Sequence, residues 1–247
     1  MEFETEPLFR DDAYVREFSG QVLGVNGRGG IILDQTAFYA AGGGQPGDTG
    51  QLCRADGMTI QIGATVYGEG KAEIVHVPMS DDNLPEPGES LSGAIDWTRR
   101  NRHMRMHTAL HLLCSLVPFP VTGGSIGEAE SRLDFDIEDA GAVDKDALSE
   151  QIMALVAQDH PVTTRWISDA ELDANPDLVR TMSAKPPRGS GRVRLVAIGD
   201  NGAIDLQPCG GTHVRSTAEI GALTVAKIEK KGRQNRRIRI RLDDAND

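Results

Sequence analysis

Two short motifs hold the side chains with the clearest capacity for chemistry. His107-Thr-Ala-Leu-His111 carries two imidazoles four positions apart, and Cys209-Gly-Gly-Thr-His213 carries a thiol and an imidazole at the same spacing. Residues i and i+4 of a helix lie on one face, whereas a Gly-Gly pair favours a tight turn that can bring Cys209 and His213 together. Three imidazoles and one thiolate suit Zn²⁺. The motifs therefore predict one zinc ion per chain, the alternative being two unrelated buried pairs.

The composition is typical of a soluble globular protein with room for two modest domains. Of the 247 residues, 39% are hydrophobic and 26% are charged. No apolar run approaches the roughly 18 residues of a membrane span, and the acidic start Met1-Glu-Phe-Glu-Thr-Glu6 is unlike a secretory signal. The cysteine count is odd, at three. Together these features predict a reducing, cytoplasmic location, no membrane contact, and free thiols at Cys53 and Cys114.

The net charge of -11 conceals local excesses of positive charge. Lys and Arg concentrate in segments 99–105, 180–194 and 227–241, where Glu229 is the one acidic residue. Basic stripes on an acidic body can hold an anionic polymer, so they predict a surface that binds nucleic acid. The alternative is that these residues form solvated faces of helices and strands. His103, among the first arginines, is assigned to the surface or to RNA. The basic residues assigned to RNA contact are Arg99, Arg100, Arg102, Arg188, Lys231, Arg233, Arg236 and Arg237.

Residues 1–96 show strand patterns divided by turn residues, which predicts a small β-barrel or sandwich. Within them, residues 38–50 form the densest glycine run of the chain. It lacks the Gly-Lys-Ser/Thr ending of a phosphate loop, and is either a wide turn or a backbone that approaches another domain or a ligand closely. The predicted strands are Val15 to Val25, Gly30 to Asp34, Gly50 to Arg54, Thr59 to Tyr67, Ala72 to Val77 and Glu89 to Ile95.

Residues 97–247 mix helices and strands, which predicts an α+β structure. The first helix should run from about Thr98 to Val117, capped by Asp96 and ended by Pro118, with His107 and His111 on the flank of its apolar stripe. The further predicted elements are strands at Val121 to Ile126, Ser131 to Phe135, Val162 to Ile167, Val193 to Ile198, Ala222 to Lys227 and Arg236 to Leu242, and helices from Asp144 and at Asp169 to Ala174.

The chain resembles the free-standing alanyl-tRNA editing proteins, the AlaX family, over nearly its whole length. The resemblance rests on four motifs in the same order, His107-Thr-Ala-Leu-His111-Leu-Leu, Cys209-Gly-Gly-Thr-His213-Val, Gly42-Gly-Gly-Gln-Pro-Gly-Asp-Thr-Gly50 and Lys231-Gly-Arg-Gln-Asn-Arg-Arg-Ile238. It implies an N-terminal β-barrel, residues 1–96, followed by a zinc-containing α/β editing domain, residues 97–247, like that shared by alanyl- and threonyl-tRNA synthetases. It also implies hydrolysis of serine or glycine wrongly esterified to alanine tRNA.

The same resemblance implies roles for particular residues. His107, His111, Cys209 and His213 match the zinc ligands of the family. The strand from Val121 to Ile126 matches the lining of the amino-acid pocket, and the glycine run matches a motif near the editing site. The pocket residues so implied are Thr122, Ser125, Gly42, Gly43 and Gly44. The editing match fills the chain, so neither ATP use nor full tRNA ligase activity is expected.

The chemistry of such a site has two possible forms. Zinc could lower the pKa of a bound water to about 7, or it could anchor the amino group of the substrate. The general base and the oligomeric state stay unassigned. Two other functions are a tRNA-binding module with a structural zinc and no turnover, and a metallohydrolase for a non-tRNA ester. Turnover of charged tRNA, and competition by uncharged tRNA, separate these alternatives.

Overall fold

The computed structural model describes residues 3–139, 141–179 and 191–243. It contains two compact units, Met1–Asn101 and Arg102–Asp247. The structure is α+β with a closed barrel, which confirms the predicted fold class. The assignment of domains at 1–96 and 97–247 stays a prediction.

Six strands of the first unit close into a barrel in the order β2-β3-β7-β6-β5-β8, and β1 and β4 form a separate parallel pair. The six barrel strands correspond to the six predicted strands, whereas the two-residue strands β1 and β4 were not predicted. The strands are β1 (Glu6–Pro7), β2 (Glu17–Val25), β3 (Ile31–Leu33), β4 (Gln35–Thr36), β5 (Gly50–Cys53), β6 (Thr59–Tyr67), β7 (Ile74–Pro78) and β8 (Ser90–Ile95).

Alternation of side chains produces the barrel core. In β6, Ile60 and Ile62 are buried while their neighbours Thr59, Gln61 and Gly63 face solvent. This period of two places one face of each strand inward, where burial of apolar surface stabilises the closed sheet.

The glycine run packs against the barrel itself. A Cβ on Gly47 would collide with the backbone carbonyl of Thr65 in β6. The next residue, Asp48, is buried and accepts a hydrogen bond from the backbone N–H of Tyr39 at 2.7 Å. Gly47 therefore approaches another backbone closely, but that backbone belongs to its own unit, so the predicted approach to another domain or a ligand stays a prediction.

A buried ion pair joins the glycine run to the start of the first helix. Arg100 is fully buried and donates hydrogen bonds to both carboxylate oxygens of Asp48. It also donates to the carbonyl oxygens of Ala13 at 2.9 Å and Ala37 at 2.6 Å. The predicted contact between Arg100 and RNA is wrong, because every side of this guanidinium faces protein.

The second unit contains the larger part of helix α1 and two sheets. One sheet has the order β14-β15-β10-β9, and the other has the order β11-β12-β13. The elements are α1 (Trp97–Leu116), β9 (Val121–Ser125), β10 (Glu130–Asp136), α2 (Lys145–Ala157), β11 (Val162–Ser168), α3 (Asp169–Ala174), β12 (Arg192–Ile198), β13 (Asp205–Pro208), β14 (Leu223–Lys230) and β15 (Asn235–Leu242). The sequence predicted all of them except β13.

Helix α1 is buried more completely than its amphipathic pattern indicates. Asp96 accepts a hydrogen bond from the backbone N–H of Arg99 at 3.1 Å, as predicted for a cap. Every residue from 106 to 114 is buried, and so is His103, which is 1% exposed. The assignment of His103 to a surface or to RNA is therefore wrong. Among the described residues, no helix combines the length and apolar character that crossing a membrane requires.

Candidate metal centre

Four predicted ligands converge in the second unit. His107 and His111 lie one turn apart on α1, and Cys209 and His213 lie in the loop after β13. One ligand atom from each residue lies within 4.8 Å of those of the others. The ring centroids of His107 and His213 are 4.2 Å apart, and those of His111 and His213 are 4.7 Å apart. This cluster could bind a metal ion.

The spacing of these atoms suits a tetrahedral ion. The sulfur of Cys209 lies 3.4 Å from Nε2 of His107 and 3.3 Å from Nε2 of His213. A tetrahedral zinc ion, with Zn–S near 2.3 Å and Zn–N near 2.0 Å, separates sulfur from nitrogen by about 3.5 Å. The donor set and its spacing therefore fit zinc.

The outer nitrogens of two imidazoles have partners that orient the rings. Nδ1 of His111 lies 2.8 Å from Oδ2 of Asp205, which also accepts a hydrogen bond from Nε2 of Gln207 at 2.9 Å. Thr108 donates its hydroxyl proton to a helix carbonyl, so its oxygen accepts from Nδ1 of His213 at 3.1 Å. With Nδ1 of both rings engaged in these outer contacts, Nε2 is the nitrogen that faces the cluster, as in metal sites with outer carboxylate and hydroxyl partners.

The same contacts shift the ionisation of the cluster. Burial raises the pKa of the Cys209 thiol, but the imidazoles of His107 and His213 outweigh it and bring that pKa well below its ordinary value. Burial lowers the pKa of His111, but hydrogen bonds with Asp205 and Cys209 outweigh it and raise that pKa to about 10. Burial and the charge of His107 lower the pKa of His213 well below its ordinary value. A metal ion would be bound by the thiolate and by neutral imidazoles, so its binding would displace protons held within the cluster.

Arg194 on β12 fixes the turn that carries Cys209. Its guanidinium donates to the carbonyl oxygens of Cys209 and Gly211, both at 2.9 Å, and its own carbonyl accepts from the backbone N–H of Cys209 at 3.1 Å. The backbone N–H of Gly211 in turn approaches the Cys209 sulfur at 3.4 Å. The side chain of Arg194 is buried, although it belongs to a segment predicted to form a basic surface.

Known proteins match this chain in sequence, including the segment that carries Cys209 and His213. Residues 193–239 match the family described as threonyl and alanyl tRNA synthetase second additional domain, and residues 8–99 match the family described as tRNA synthetases class II (A). The chain is 36% identical to alanyl-tRNA editing protein AlaX-M of Methanosarcina acetivorans, over 97% of this chain and 100% of that protein. It is 34% identical to the AlaX-M protein of Saccharolobus solfataricus, over 95% and 97% of the two chains.

This chain belongs to the AlaX family of alanyl-tRNA editing proteins. The resemblance seen in the sequence is thereby confirmed. The chain is also 36% identical to the alanine–tRNA ligase of Pyrobaculum calidifontis, over 92% of this chain but 25% of the ligase. The AlaX chain thus corresponds to about a quarter of that ligase.

The residues predicted to line an amino-acid pocket lie in both units. Thr122 is half-buried on β9, with its hydroxyl 3.1 Å from the carbonyl oxygen of Asp134 and 3.1 Å from Oδ1 of Asn235. Its one proton serves one of these acceptors, so a lone pair remains to accept a further hydrogen bond. Ser125 is exposed at the end of β9. The run 42–44 belongs to the first unit, and the assignment of all these residues to a pocket stays a prediction.

Of the two tRNA contacts predicted in β15, the structure contradicts the one at Arg236, and the one at Arg237 stays a prediction. Arg236 is buried, and it donates to the backbone carbonyl oxygens of Glu138 at 3.0 Å and Asn235 at 3.3 Å. Its predicted role in tRNA binding is wrong, because its guanidinium is directed into the protein. Arg237 remains partly accessible but holds both carboxylate oxygens of Asp134, at 2.7 and 2.8 Å. Its hydrogen bonds and those of Arg132 lower the pKa of Asp134, so the negative charge persists beside it.

Other predicted tRNA contacts keep the required exposure. Lys231 and Arg233 are exposed in the turn between β14 and β15, with no ion pair to any residue that the structure describes. Arg99 and Arg102 are half-buried on α1. Arg188 lies outside the described residues. These four described residues remain predictions for tRNA contact.

Sequence reasoning missed the residues that support the ligands. Asp205 and Gln207 lie on β13, a four-residue strand with a terminal proline that gives little strand signal. Thr108 lies within the first motif, between His107 and His111, and only these two histidines were assigned a role from the sequence. The sequence feature that could have indicated Asp205 is its position, four residues before Cys209.

Proposed function

We propose that this chain is a trans-editing aminoacyl-tRNA deacylase, which hydrolyses serine or glycine from wrongly charged alanine tRNA, with one zinc ion in the cluster. The observation that carries the proposal is the convergence of three imidazoles and one thiolate, at distances that suit zinc, in a chain of the AlaX family. The relatives named alanyl-tRNA editing proteins match it over nearly their full length, so their activity is the one to expect of it.

The chain's own residues would hold the ion through Nε2 of His107, His111 and His213 and through the sulfur of Cys209. When bound there, zinc supplies a Lewis acid that can polarise an ester or fix a polar group of the substrate. Asp205 keeps the Nδ1 proton of His111, and Arg194 holds the Cys209 turn in place. These contacts reduce the reorganisation that metal and substrate binding would otherwise require.

An aminoacyl ester is already activated, so the site's main task is selection. Serine differs from alanine by one hydroxyl group. Thr122 has its proton engaged within the protein, and its free lone pair could accept a hydrogen bond from that hydroxyl. Lys231 and Arg233 would contact the tRNA phosphates.

The metal part of this proposal is tested by elemental analysis of the purified protein. We expect about one zinc ion per chain, most of it lost in Cys209→Ala because the thiolate is the single anionic ligand. Deacylation of Ser-tRNA(Ala) should fall in step with zinc content, whereas Cys53→Ala, which alters a cysteine of the first unit, should retain both. Full zinc in a His107→Ala/Cys209→Ala double variant would exclude this site.

A further inference from the structure

One face of the three-stranded sheet extends from residues that contact the metal cluster to the outer strand β11. Paired residues of neighbouring strands project to the same face, and so do alternate residues of one strand. Trp166 on β11 pairs with Arg194 on β12, and Val196, two residues further on, pairs with Gln207 on β13. The face that carries Trp166 therefore also carries Arg194 and Gln207.

Two of these side chains already serve the cluster. Nε2 of Gln207 donates at 2.9 Å to Oδ2 of Asp205, the oxygen that lies against Nδ1 of His111. Arg194 donates to the carbonyl oxygens of Cys209 and Gly211. Trp166 is the direct cross-strand neighbour of Arg194, where side chains lie about 5 Å apart at Cβ. The indole thus stands one strand away from the residue that holds the cysteine turn.

The indole is also open to a partner. β11 is an edge strand of its sheet, and Trp166 is 40% exposed. The guanidinium carbon of the exposed Arg192 lies 4.9 Å from the centre of its ring. Arg192 pairs with Ser168, two residues from Trp166, so it belongs to the same face. An exposed aromatic ring beside an arginine is the pairing with which proteins stack unpaired nucleobases and neutralise the adjoining phosphate.

We propose that Trp166 stacks on an unpaired nucleobase at the 3′ end of the tRNA, with Arg192 beside it against the phosphate backbone. This inference rests on the proposed function, because the ester to be hydrolysed is attached to that 3′ end. A site that cleaves the ester must hold the last nucleotides close to the metal cluster. Trp166 lies on the face that bears Gln207 and Arg194, and its ring recognises any base through stacking rather than through sequence.

A double-mutant cycle between the protein and the RNA tests this contact. The protein arms are wild type, Trp166→Ala and Trp166→Phe, with Met79→Ala as the control, since Met79 is a 76% exposed apolar residue of the first unit. The RNA arms are uncharged alanine tRNA and the same tRNA with each unpaired 3′ nucleotide made abasic in turn. The dissociation constant is measured for every combination.

We expect Trp166→Ala to weaken binding of intact tRNA about tenfold, the scale of removing one base–aromatic stack, while Trp166→Phe and Met79→Ala stay within about threefold of wild type. For one abasic tRNA the difference between wild type and Trp166→Ala should vanish. Equal binding by wild type and Trp166→Ala would overturn the inference, and so would an equal weakening on intact and abasic tRNA, which would indicate a structural role. Deacylation assays separate the two proposals. If the wild-type protein shows the expected coupling between Trp166 and one 3′ base but leaves Ser-tRNA(Ala) intact, the proposed function alone is contradicted. If Trp166→Ala deacylates at the wild-type kcat/KM, the stacking alone is contradicted.

Discussion

Nδ1 of His111 lies 2.8 Å from a carboxylate oxygen of Asp205, and this contact decides which nitrogen of the ring faces Cys209. Both residues are buried, and the same carboxylate oxygen accepts a hydrogen bond from Gln207. The metal cluster is therefore supported from a strand, β13, that contributes no ligand of its own.

Loss of this carboxylate should weaken metal binding. Asp205→Asn keeps the size of the side chain but no longer fixes the Nδ1 proton of His111 or its basicity, so we expect zinc affinity to fall about 10- to 100-fold. Competition with a chromogenic chelator measures the affinity. Asp136→Asn, an exposed change on β10, is the control and should leave it unaltered. Equal affinities in wild type and Asp205→Asn would show that His111 is oriented without this contact.

The exposed turn between β14 and β15 should contribute to tRNA affinity through charge. Lys231→Glu/Arg233→Glu should weaken tRNA binding and flatten the log–log dependence on salt by roughly one unit for each phosphate that the protein no longer neutralises. The dissociation constant is measured over a series of salt concentrations. Arg10→Glu/Arg28→Glu, at two exposed arginines of the first unit, gives the same change in net charge and should preserve the slope. If the two double variants show the same salt dependence of tRNA binding, the turn is a solvated surface that does not contact tRNA.

The buried pair of Arg100 and Asp48 should matter for stability of the barrel unit. Arg100→Met leaves the Asp48 carboxylate buried without its cation, which should cost about 3 to 5 kcal/mol in the free energy of unfolding. Adding Asp48→Asn removes the uncompensated charge, so the double variant should lose less than the sum of the single changes. Urea denaturation measures all three, with the exposed Arg28→Met as the control within about 0.5 kcal/mol. Additive losses would contradict a direct pair.

His76 should make the stability of the barrel depend on pH. Its ring is fully buried, with Nε2 2.8 Å from the Thr36 hydroxyl and Nδ1 3.0 Å from the carbonyl oxygen of Ile31. Burial lowers the pKa of His76 to about 4, and the hydrogen bond to Ile31 offsets this only in part. Below pH 6.5 His76 is protonated in the unfolded chain, whereas in the folded protein it stays neutral until the pH falls to about 4. The folded state should therefore lose roughly 3 kcal/mol of stability as pH falls through this interval.

The measurement is the free energy of unfolding between about pH 7 and pH 4 for wild type and His76→Gln. The variant lacks the titrating ring, so its stability should fall less steeply over that interval. His160→Gln, at a histidine whose ring contacts the exposed Gln158 side chain, is the matched control and should keep the wild-type slope. A wild-type slope in His76→Gln would show that this buried ring does not titrate as stated.

The elements that the sequence predicts well are those with a local cause. Alternation specifies β6, and Asp96 with Pro118 delimits α1 closely, because each signal lies within the element or beside it. Exposure of charged residues was harder to predict. Arg100 belongs to a row of arginines in the sequence, yet its partner Asp48 is 52 positions away. Only the folded barrel brings that carboxylate to it.

In the candidate site too, features with a local cause were predicted and features that depend on tertiary structure were not. The spacing of His107 and His111 predicts that the two rings share one helix face. The cluster is predicted only when this spacing is combined with the Cys209 motif, whose two glycines allow the turn that brings in the thiolate. The supporting residues depend on tertiary pairing. Asp205 reaches the cluster through the register of β12 and β13, which no pattern in the four residues of β13 reveals.

Proofreading by this protein is tested most directly by single-turnover deacylation. The rates are measured for the zinc-loaded protein on alanine tRNA charged separately with serine, glycine and alanine. A site that hydrogen-bonds the serine hydroxyl discriminates strongly against a substrate without it, so the serine ester should be cleaved at least about 100 times faster than the alanine ester. Thr122→Val should lower the serine rate more than the glycine rate, since glycine lacks that hydroxyl. A serine rate no greater than the alanine rate, with zinc confirmed in the protein, would contradict editing.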